Sequence, residues 1–221
     1  MTIEVAEVPA VDLGEMYRSA RERITALVTA ADVDPVAVVP ATPDWTVHDV
    51  VAHLSGIAVD GTSGNMEGAP GDEWTAAQVR RNAHRSIEDM VAEWSQVGPL
   101  MEGFLSTPEG ALASAAVMDI HTHEADLRDA LGLPVAVPAA FIAWAGPTMR
   151  NGFAAAVAAA DLPPVVVSVG DFELFRARLG RRTEAEVAAY DWSAPAAGYL
   201  DLFFIFGRAA RPLRESLEQR P

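Results

Sequence analysis

Apolar residues recur at helical spacing in four long segments over the first two thirds of the chain. Three of these segments cover about 12–31, 73–97 and 111–131, and another begins at Thr46, where a capping-box pair with Asp49 marks a helix start. A stripe with this spacing has to be buried against a neighbouring element. Four such helices joined by turns and loops predict a mainly α fold built on an antiparallel four-helix bundle.

The last third of the chain is patterned differently. We assign residues 1–135 to the bundle and residues 136–221 to a small C-terminal helical or α+β subdomain packed on it. An Ala-rich helix in this region is expected to kink at Gly146 and Pro147, and the stretch VVVSVG is the one convincing strand signal. One strand cannot form a sheet, so a helical appendage and a reduced α+β unit both stay open.

Composition excludes several classes of function. The formal charge is −15, and all sixteen basic residues are Arg, so the surface repels polyphosphates and nucleic acid is not expected as a partner. No apolar run approaches the roughly 20 residues that span a bilayer, and the N-terminus is acidic where a signal peptide is basic. We therefore expect a cytoplasmic monomer or homodimer without a membrane partner. Because the chain has no Cys, any bound metal must use imidazole and carboxylate ligands.

The stretch MDIHTHEADLRDALG is the densest run of ligand-type side chains in the chain. Asp119 and His123 are four residues apart, so they lie on one helix face beside the apolar stripe, whereas His121 projects from the opposite flank. On the second helix, His53 has a similar position next to Gly56. Two imidazoles and one carboxylate suit Zn²⁺ or another late divalent metal with an open coordination position, which is the catalytic rather than the structural pattern.

Spacing alone leaves other interpretations of these residues open. Asp119 and His123 also fit a hydrogen-bonded surface pair that holds no metal. His84 is a half-buried candidate ligand on the third helix, and His48 is expected to point toward solvent. Asp126, one turn beyond His123, either orients that imidazole or is simply solvated.

Arg181 and Arg182, in the stretch LGRR, are candidate substrate-binding residues. A guanidinium binds a carboxylate through two parallel hydrogen bonds, so this pair is suited to clamp an acidic substrate. The alternative is that both are solvated residues at a helix end.

Two stretches resemble the signatures of a known family. VPATPDWTVHDVVAHLSG is similar to the second-helix signature of the mycothiol-dependent maleylpyruvate isomerase family, within the DinB-like superfamily of metal-binding four-helix bundles. MDIHTHEADLRDALGLP, about 65 residues further on, is similar to the second signature of that family. The stretches FELFRARLGRRTEAEVAAYDW and YLDLFFIFG also resemble the C-terminal region of its actinobacterial members.

This resemblance implies that His53, Asp119 and His123 are the metal ligands, with Asp119 where many members have Glu. It also implies a divalent metal, Zn in the first place, and mycothiol as the thiol cosubstrate. The expected function is activation of this low-molecular-weight thiol for S-transfer to, or cis/trans isomerisation of, a small electrophile. This chemistry suits a chain without Cys, because the sulfur nucleophile arrives with the cosubstrate. A metal-assisted hydrolase and a non-catalytic metal- or ligand-binding bundle stay open as alternatives.

Overall fold

In the computed structural model, which describes residues 6–215, the chain is mainly helical. Its internal contacts divide the described chain into two compact units. The first unit contains residues 12–136, and the second contains residues 6–11 together with 137–214.

Residues 6–11, which the sequence analysis placed with the bundle, belong to the second unit. Ala6 holds this segment there, because its backbone N–H donates to Asn151 Oδ1 (2.9 Å) and its carbonyl accepts from Asn151 Nδ2 (2.8 Å). The chain therefore begins its described course in one unit and enters the other at Asp12.

The first unit is built mainly of helices. Their bounds are α1 Leu13–Val28, α2 Val47–Ser63, α3 Asp72–Asn82, α4 Ile87–Leu105 and α5 Ala115–Ala130. The helix α1 packs against α4 and α5, α2 packs against the same two helices, and α3 packs against α2. Four helices thus enclose one core, whose fully buried side chains include Ile24, Leu54, Met90, Ile120 and Leu127.

The predicted start of the second helix is confirmed. Thr46 is the N-cap of α2, and it forms a reciprocal capping box with Asp49. At the other end, Gly64 closes α2 in the left-handed conformation at φ 79°, where a side chain is disfavoured. These two signals fix the length of the helix that carries His53.

The single long helix predicted over 73–97 is wrong, because this segment contains the separate helices α3 and α4. Ser86 starts α4, and its hydroxyl accepts a hydrogen bond from the Asp89 backbone N–H (3.1 Å). Both helices bury a face against α2, so the apolar spacing continues on either side of the break. Periodicity alone therefore did not reveal it.

The helix α4 continues through Gly98 and Pro99 to Leu105. The glycine serves a close approach, since a Cβ at Gly98 would lie 2.6 Å from Nε of Arg21. That space lets Arg21 reach Glu102, where Nε donates to Oε1 at 2.7 Å in a buried ion pair.

The second unit contains shorter elements. They are α6 Ala139–Ala159, β1 Val167–Ser168, α7 Asp171–Arg176, α8 Glu184–Ala188, β2 Asp191–Trp192 and α9 Leu200–Phe203. The strands β1 and β2 pair antiparallel, with Val167 opposite Trp192. The stretch VVVSVG thus supplies a strand of two residues, and its partner is too short to recognise from the sequence.

The helix α6 is continuous through Gly146 and Pro147. A Cβ at Gly146 would lie 2.3 Å from the carboxyl carbon of Asp171, so this glycine admits the start of α7. Arg150, one turn further along α6, donates to Oδ1 of the same Asp171 at 2.8 Å. The Gly-Pro pair therefore marks a packing contact.

Within residues 6–215, no helix combines the length and the apolar character needed to cross a bilayer.

Candidate metal centre

The first unit brings His53, Asp119 and His123 together, His53 from α2 and the other two from α5. His53 Nε2 lies 3.4 Å from one carboxylate oxygen of Asp119, and His123 Nε2 lies 3.6 Å from the other. One ligand atom from each residue lies within 4.8 Å of the other two. Atoms that share a tetrahedral zinc ion at about 2.0–2.1 Å are themselves roughly 3.3 Å apart, so the group is close to the spacing that zinc requires.

The three side chains of the cluster differ in their exposure to solvent. The side chains of His53 and His123 are 6% and 7% exposed, whereas that of Asp119 is 26% exposed. A metal ion held here would be shielded by the bundle on the imidazole side and reachable from the side of the carboxylate. That is the arrangement in which a small molecule can occupy a fourth position.

Both imidazoles have a polar neighbour on the ring nitrogen that faces away from Asp119. His53 Nδ1 donates to Gln78 Oε1 at 2.8 Å. His123 Nδ1 lies 3.2 Å from Oδ2 of the fully buried Asp126, close but not aligned as a hydrogen bond. Asp126 therefore faces His123 and is not solvated. Partners of this kind orient metal-binding histidines.

Trp45 forms an aromatic wall beside the two imidazoles. Its ring centroid lies 5.2 Å from that of His53 and 5.9 Å from that of His123. The two imidazole rings are 5.3 Å apart and nearly perpendicular. Trp45 was not predicted as a site residue, although it directly precedes Thr46, the N-cap of the helix that carries His53.

The other three histidines lie outside this group. His121 donates from Nδ1 to the Val117 carbonyl (2.8 Å), and burial lowers its pKa to about 4, so it is a neutral core residue. His48, expected to point to solvent, is half-buried and donates from Nε2 to the Arg85 carbonyl (2.8 Å). His84, expected to be half-buried, is exposed in the turn between α3 and α4.

Sequence reasoning missed the polar residues behind His53. Gln78 on α3 also donates from Nε2 to Asp60 Oδ2 (2.9 Å), and Asp60 pairs with Arg81 at 3.0 Å. The available signal was Gly56, because a Cβ there would lie 2.8 Å from Cβ and Cγ of Gln78. A glycine one turn after a candidate ligand thus marks the point where α3 reaches it.

Arg181 and Arg182, the candidate substrate-binding residues, are buried within the second unit and are not solvated. Arg182 donates to both carboxylate oxygens of Glu173 at 2.7 Å, and Arg181 donates to the Leu179 carbonyl. Burial on its own would raise the pKa of Glu173, but the bonds from Arg182 and Tyr190 outweigh it and hold that pKa below its usual value. The guanidinium of Arg182 thus already binds a carboxylate of its own chain.

Comparison of the chain with protein-family models, curated proteins and solved structures finds no match in any of the three. The functional argument therefore rests on the geometry of the cluster.

Proposed function

We propose that this protein binds a divalent metal ion, with zinc as the preferred ion, through His53, Asp119 and His123. We further propose that it uses the ion to activate a low-molecular-weight thiol, mycothiol, for reaction with a small electrophile. The observation that carries the proposal is the convergence of three ligand atoms from two helices within 4.8 Å.

The ligand set favours a catalytic site over a structural one. Structural zinc sites are closed by four protein ligands, commonly Cys, whereas this cluster offers two imidazoles and one carboxylate in a chain without Cys. A divalent ion at such a site supplies Lewis acidity, which lowers the pKa of a thiol or water at its open position. The chain itself orients the His53 imidazole through Gln78, places the carboxylate of Asp126 3.2 Å from His123 Nδ1, and lays the ring of Trp45 beside both imidazoles.

A thiol cosubstrate is consistent with the composition, because the chain has no sulfur nucleophile of its own. The resemblance of the two signature stretches supports mycothiol in particular and a DinB-like identity for the bundle. In S-transfer the thiolate displaces a leaving group from the electrophile. In isomerisation it adds to a double bond, the new single bond rotates, and expulsion of the thiolate restores the double bond in the other geometry.

Metal analysis tests the first half of the proposal. Protein purified without an affinity-tag metal is expected to retain about one equivalent of zinc, and His53→Ala is expected to lose it. His48→Ala is the matched control, since this second histidine of α2 bonds to the Arg85 carbonyl away from the cluster. Metal content well below one equivalent, or equal content in His53→Ala and the parent protein, would contradict the site.

Turnover with and without mycothiol tests the second half. Zinc-loaded protein is assayed against a panel of activated double bonds and alkylating electrophiles, and product formation is expected only with the thiol present. Turnover without thiol would instead indicate metal-assisted hydrolysis. Metal-loaded protein that stays inert toward the whole panel would contradict an enzymatic role and favour a binding protein.

A further inference from the structure

A chain of buried hydrogen bonds runs from the proposed ligand His53 to the helix α3 and back to α2. Gln78, which is fully buried, accepts from His53 Nδ1 through Oε1 (2.8 Å) and donates through Nε2 to Asp60 Oδ2 (2.9 Å). Residues 53, 56 and 60 lie on one face of α2, and Gly56 leaves the space into which Gln78 packs. The sequence thus places an amide between an imidazole and a carboxylate.

The carboxylate of Asp60 determines which way the amide of Gln78 is oriented between Asp60 and His53. Oδ1 of Asp60 receives Arg81 Nη2 and Asn65 Nδ2, each at 3.0 Å, while Oδ2 receives Gln78. An ionised carboxylate that pairs with a guanidinium only accepts hydrogen bonds, so the amide nitrogen of Gln78 must face Asp60. The amide oxygen then faces His53, and Nδ1 of His53 must carry the proton.

The consequence for His53 lies on the other side of its ring. A neutral imidazole with its proton on Nδ1 has its lone pair on Nε2. Nε2 is the atom that faces Asp119 at 3.4 Å, on the side where the three ligand atoms meet. The tautomer required for metal binding is therefore dictated by a carboxylate that itself has no place in the ligand set.

We propose that Gln78 and Asp60 are positioning residues for His53, which hold its ring and fix its Nδ1–H tautomer so that Nε2 faces the metal position. The role of these residues in metal binding rests on the proposed function. The tautomer itself, however, is a property of the metal-free protein. The two ideas are therefore testable separately.

The first experiment reads the tautomer directly. Long-range ¹⁵N–¹H NMR spectra of metal-free protein at alkaline pH, with His53→Ala to assign the signals, are expected to show the proton of His53 on Nδ1. Gln78→Leu removes the acceptor, and the proton is expected to shift at least partly to Nε2. A proton on Nε2 in the parent protein, or an unchanged tautomer in Gln78→Leu, would overturn the inference.

The second experiment measures zinc affinity by competition with a chromogenic chelator. Gln78→Leu is expected to bind zinc about 10–100-fold more weakly, the usual effect of losing a partner that orients a ligand. Asn82→Leu is the matched control, because Asn82 is a buried amide one turn further on α3 whose Nδ2 donates to the backbone carbonyls of Ala52 and Gln78 rather than to the His53 side chain. Equal losses in the two variants would show that the effect is only structural, and would overturn the positioning role.

Exchanging the amide and the carboxylate between positions 78 and 60 tests whether the direction of the hydrogen bonds, rather than the packing of the side chains, controls His53. Asp60→Asn leaves the amide of Gln78 free to reverse, so zinc affinity is expected to fall and both tautomers to appear. In Gln78→Glu with Asp60→Asn, the amide at position 60 donates to the carboxylate at position 78, whose other oxygen accepts from His53. This double variant is expected to regain most of the affinity and the single Nδ1–H tautomer, and failure to regain either would overturn the inference.

The outcomes also separate the inference from the function. A parent protein that binds no zinc but holds His53 in the Nδ1–H tautomer overturns the proposed function and supports the positioning of the ring. A parent protein that binds zinc, with affinity insensitive to Gln78→Leu, supports the metal site and overturns the positioning role.

Discussion

Each unit contains a cluster of buried polar side chains, and the two clusters differ in what they offer to a ligand. In the first unit, Nε2 of His53 and Nε2 of His123 lie 3.4 and 3.6 Å from the two carboxylate oxygens of Asp119. In the second unit, the four buried arginines Arg176, Arg178, Arg181 and Arg182 lie in one short segment around Gly180. The first cluster brings together nitrogen and oxygen atoms that can bind a metal ion, whereas the guanidinium groups of the second cluster can only donate hydrogen bonds.

The arginine cluster bonds to groups of its own chain. Arg178 donates to the carbonyls of Met149 and Phe203 and lies over the ring of Phe153, and burial lowers its pKa to about 10, so it stays charged at neutral pH. Arg182 is paired with Glu173. A buried polar cluster is thus a better candidate for a binding site when its ligand atoms converge on one position. It is a poorer candidate when its polar atoms already form hydrogen bonds within the protein.

The largest expected effect comes from removing a ligand. His123→Ala should weaken zinc binding by more than the roughly 100-fold that marks the loss of an orienting partner. Zinc at about a thousand times its dissociation constant should stabilise the parent protein by about 4 kcal/mol and His123→Ala by almost nothing. Thermal unfolding with and without zinc measures this difference. Zinc stabilisation that persists in His123→Ala but disappears in Arg182→Met would reverse the assignment of the two clusters.

Arg178→Met should produce the opposite pattern. It leaves the carbonyls of Met149 and Phe203 without their charged donor, so the second unit should lose about 2–4 kcal/mol of stability, while zinc affinity stays unchanged. Denaturant unfolding followed by fluorescence, beside a zinc titration, measures both quantities. Arg211→Met is the control, because Arg211 is exposed, and it should change stability by no more than about 0.5 kcal/mol. A loss of zinc affinity in Arg178→Met would show that the second cluster contributes to binding.

The features that the sequence predicted well are local. Asp119 and His123 share a helix face because they are four residues apart, and the cap at Thr46 fixes where the helix of His53 begins. The position of His53 beside an apolar stripe made it a candidate for the same site, and the family resemblance implied it as the third ligand. Period, spacing and capping need no knowledge of how distant segments meet.

The features that escaped prediction depend on how segments meet. Gln78 reaches His53 only because α3 is a separate helix that packs on α2 at Gly56, and continuous apolar spacing hid the break at 83–86. Likewise, Arg181 and Arg182 looked solvated or ligand-binding because Glu173 and the surrounding carbonyls become their neighbours only after folding. Long-range contacts of polar groups leave no periodic trace in the sequence.

Gly56→Ala probes the contact that couples α3 to the site. The added Cβ would lie 2.8 Å from Gln78 side-chain carbons, so we expect a loss of about 1–3 kcal/mol from overpacking and a weaker hold on His53. Zinc affinity and thermal unfolding measure the two effects. Gly61→Ala, on the same helix but 3.5 Å from the nearest atom, a flexible Met101 sulfur, should instead be neutral or slightly stabilising. Parallel behaviour of the two variants would mean that the close approach at Gly56 has no consequence for the site.

The smallest expected effect concerns acid stability, and it belongs to the second unit. The folded pKa of Glu173 lies below its ordinary value of 4.5, so the folded state favours the charged carboxylate. Its contribution to stability is complete above the unfolded pKa and is lost as the pH falls through the lower folded pKa. Glu173→Gln should therefore flatten the part of the stability profile that lies just below pH 4.5, as measured by thermal unfolding over a pH series. Tyr190→Phe, which removes one donor to Glu173 at 2.5 Å, should flatten it less, because both bonds from Arg182 remain. An acid profile unchanged in Glu173→Gln would show that the arginine cluster does not depend on this carboxylate for its charge balance.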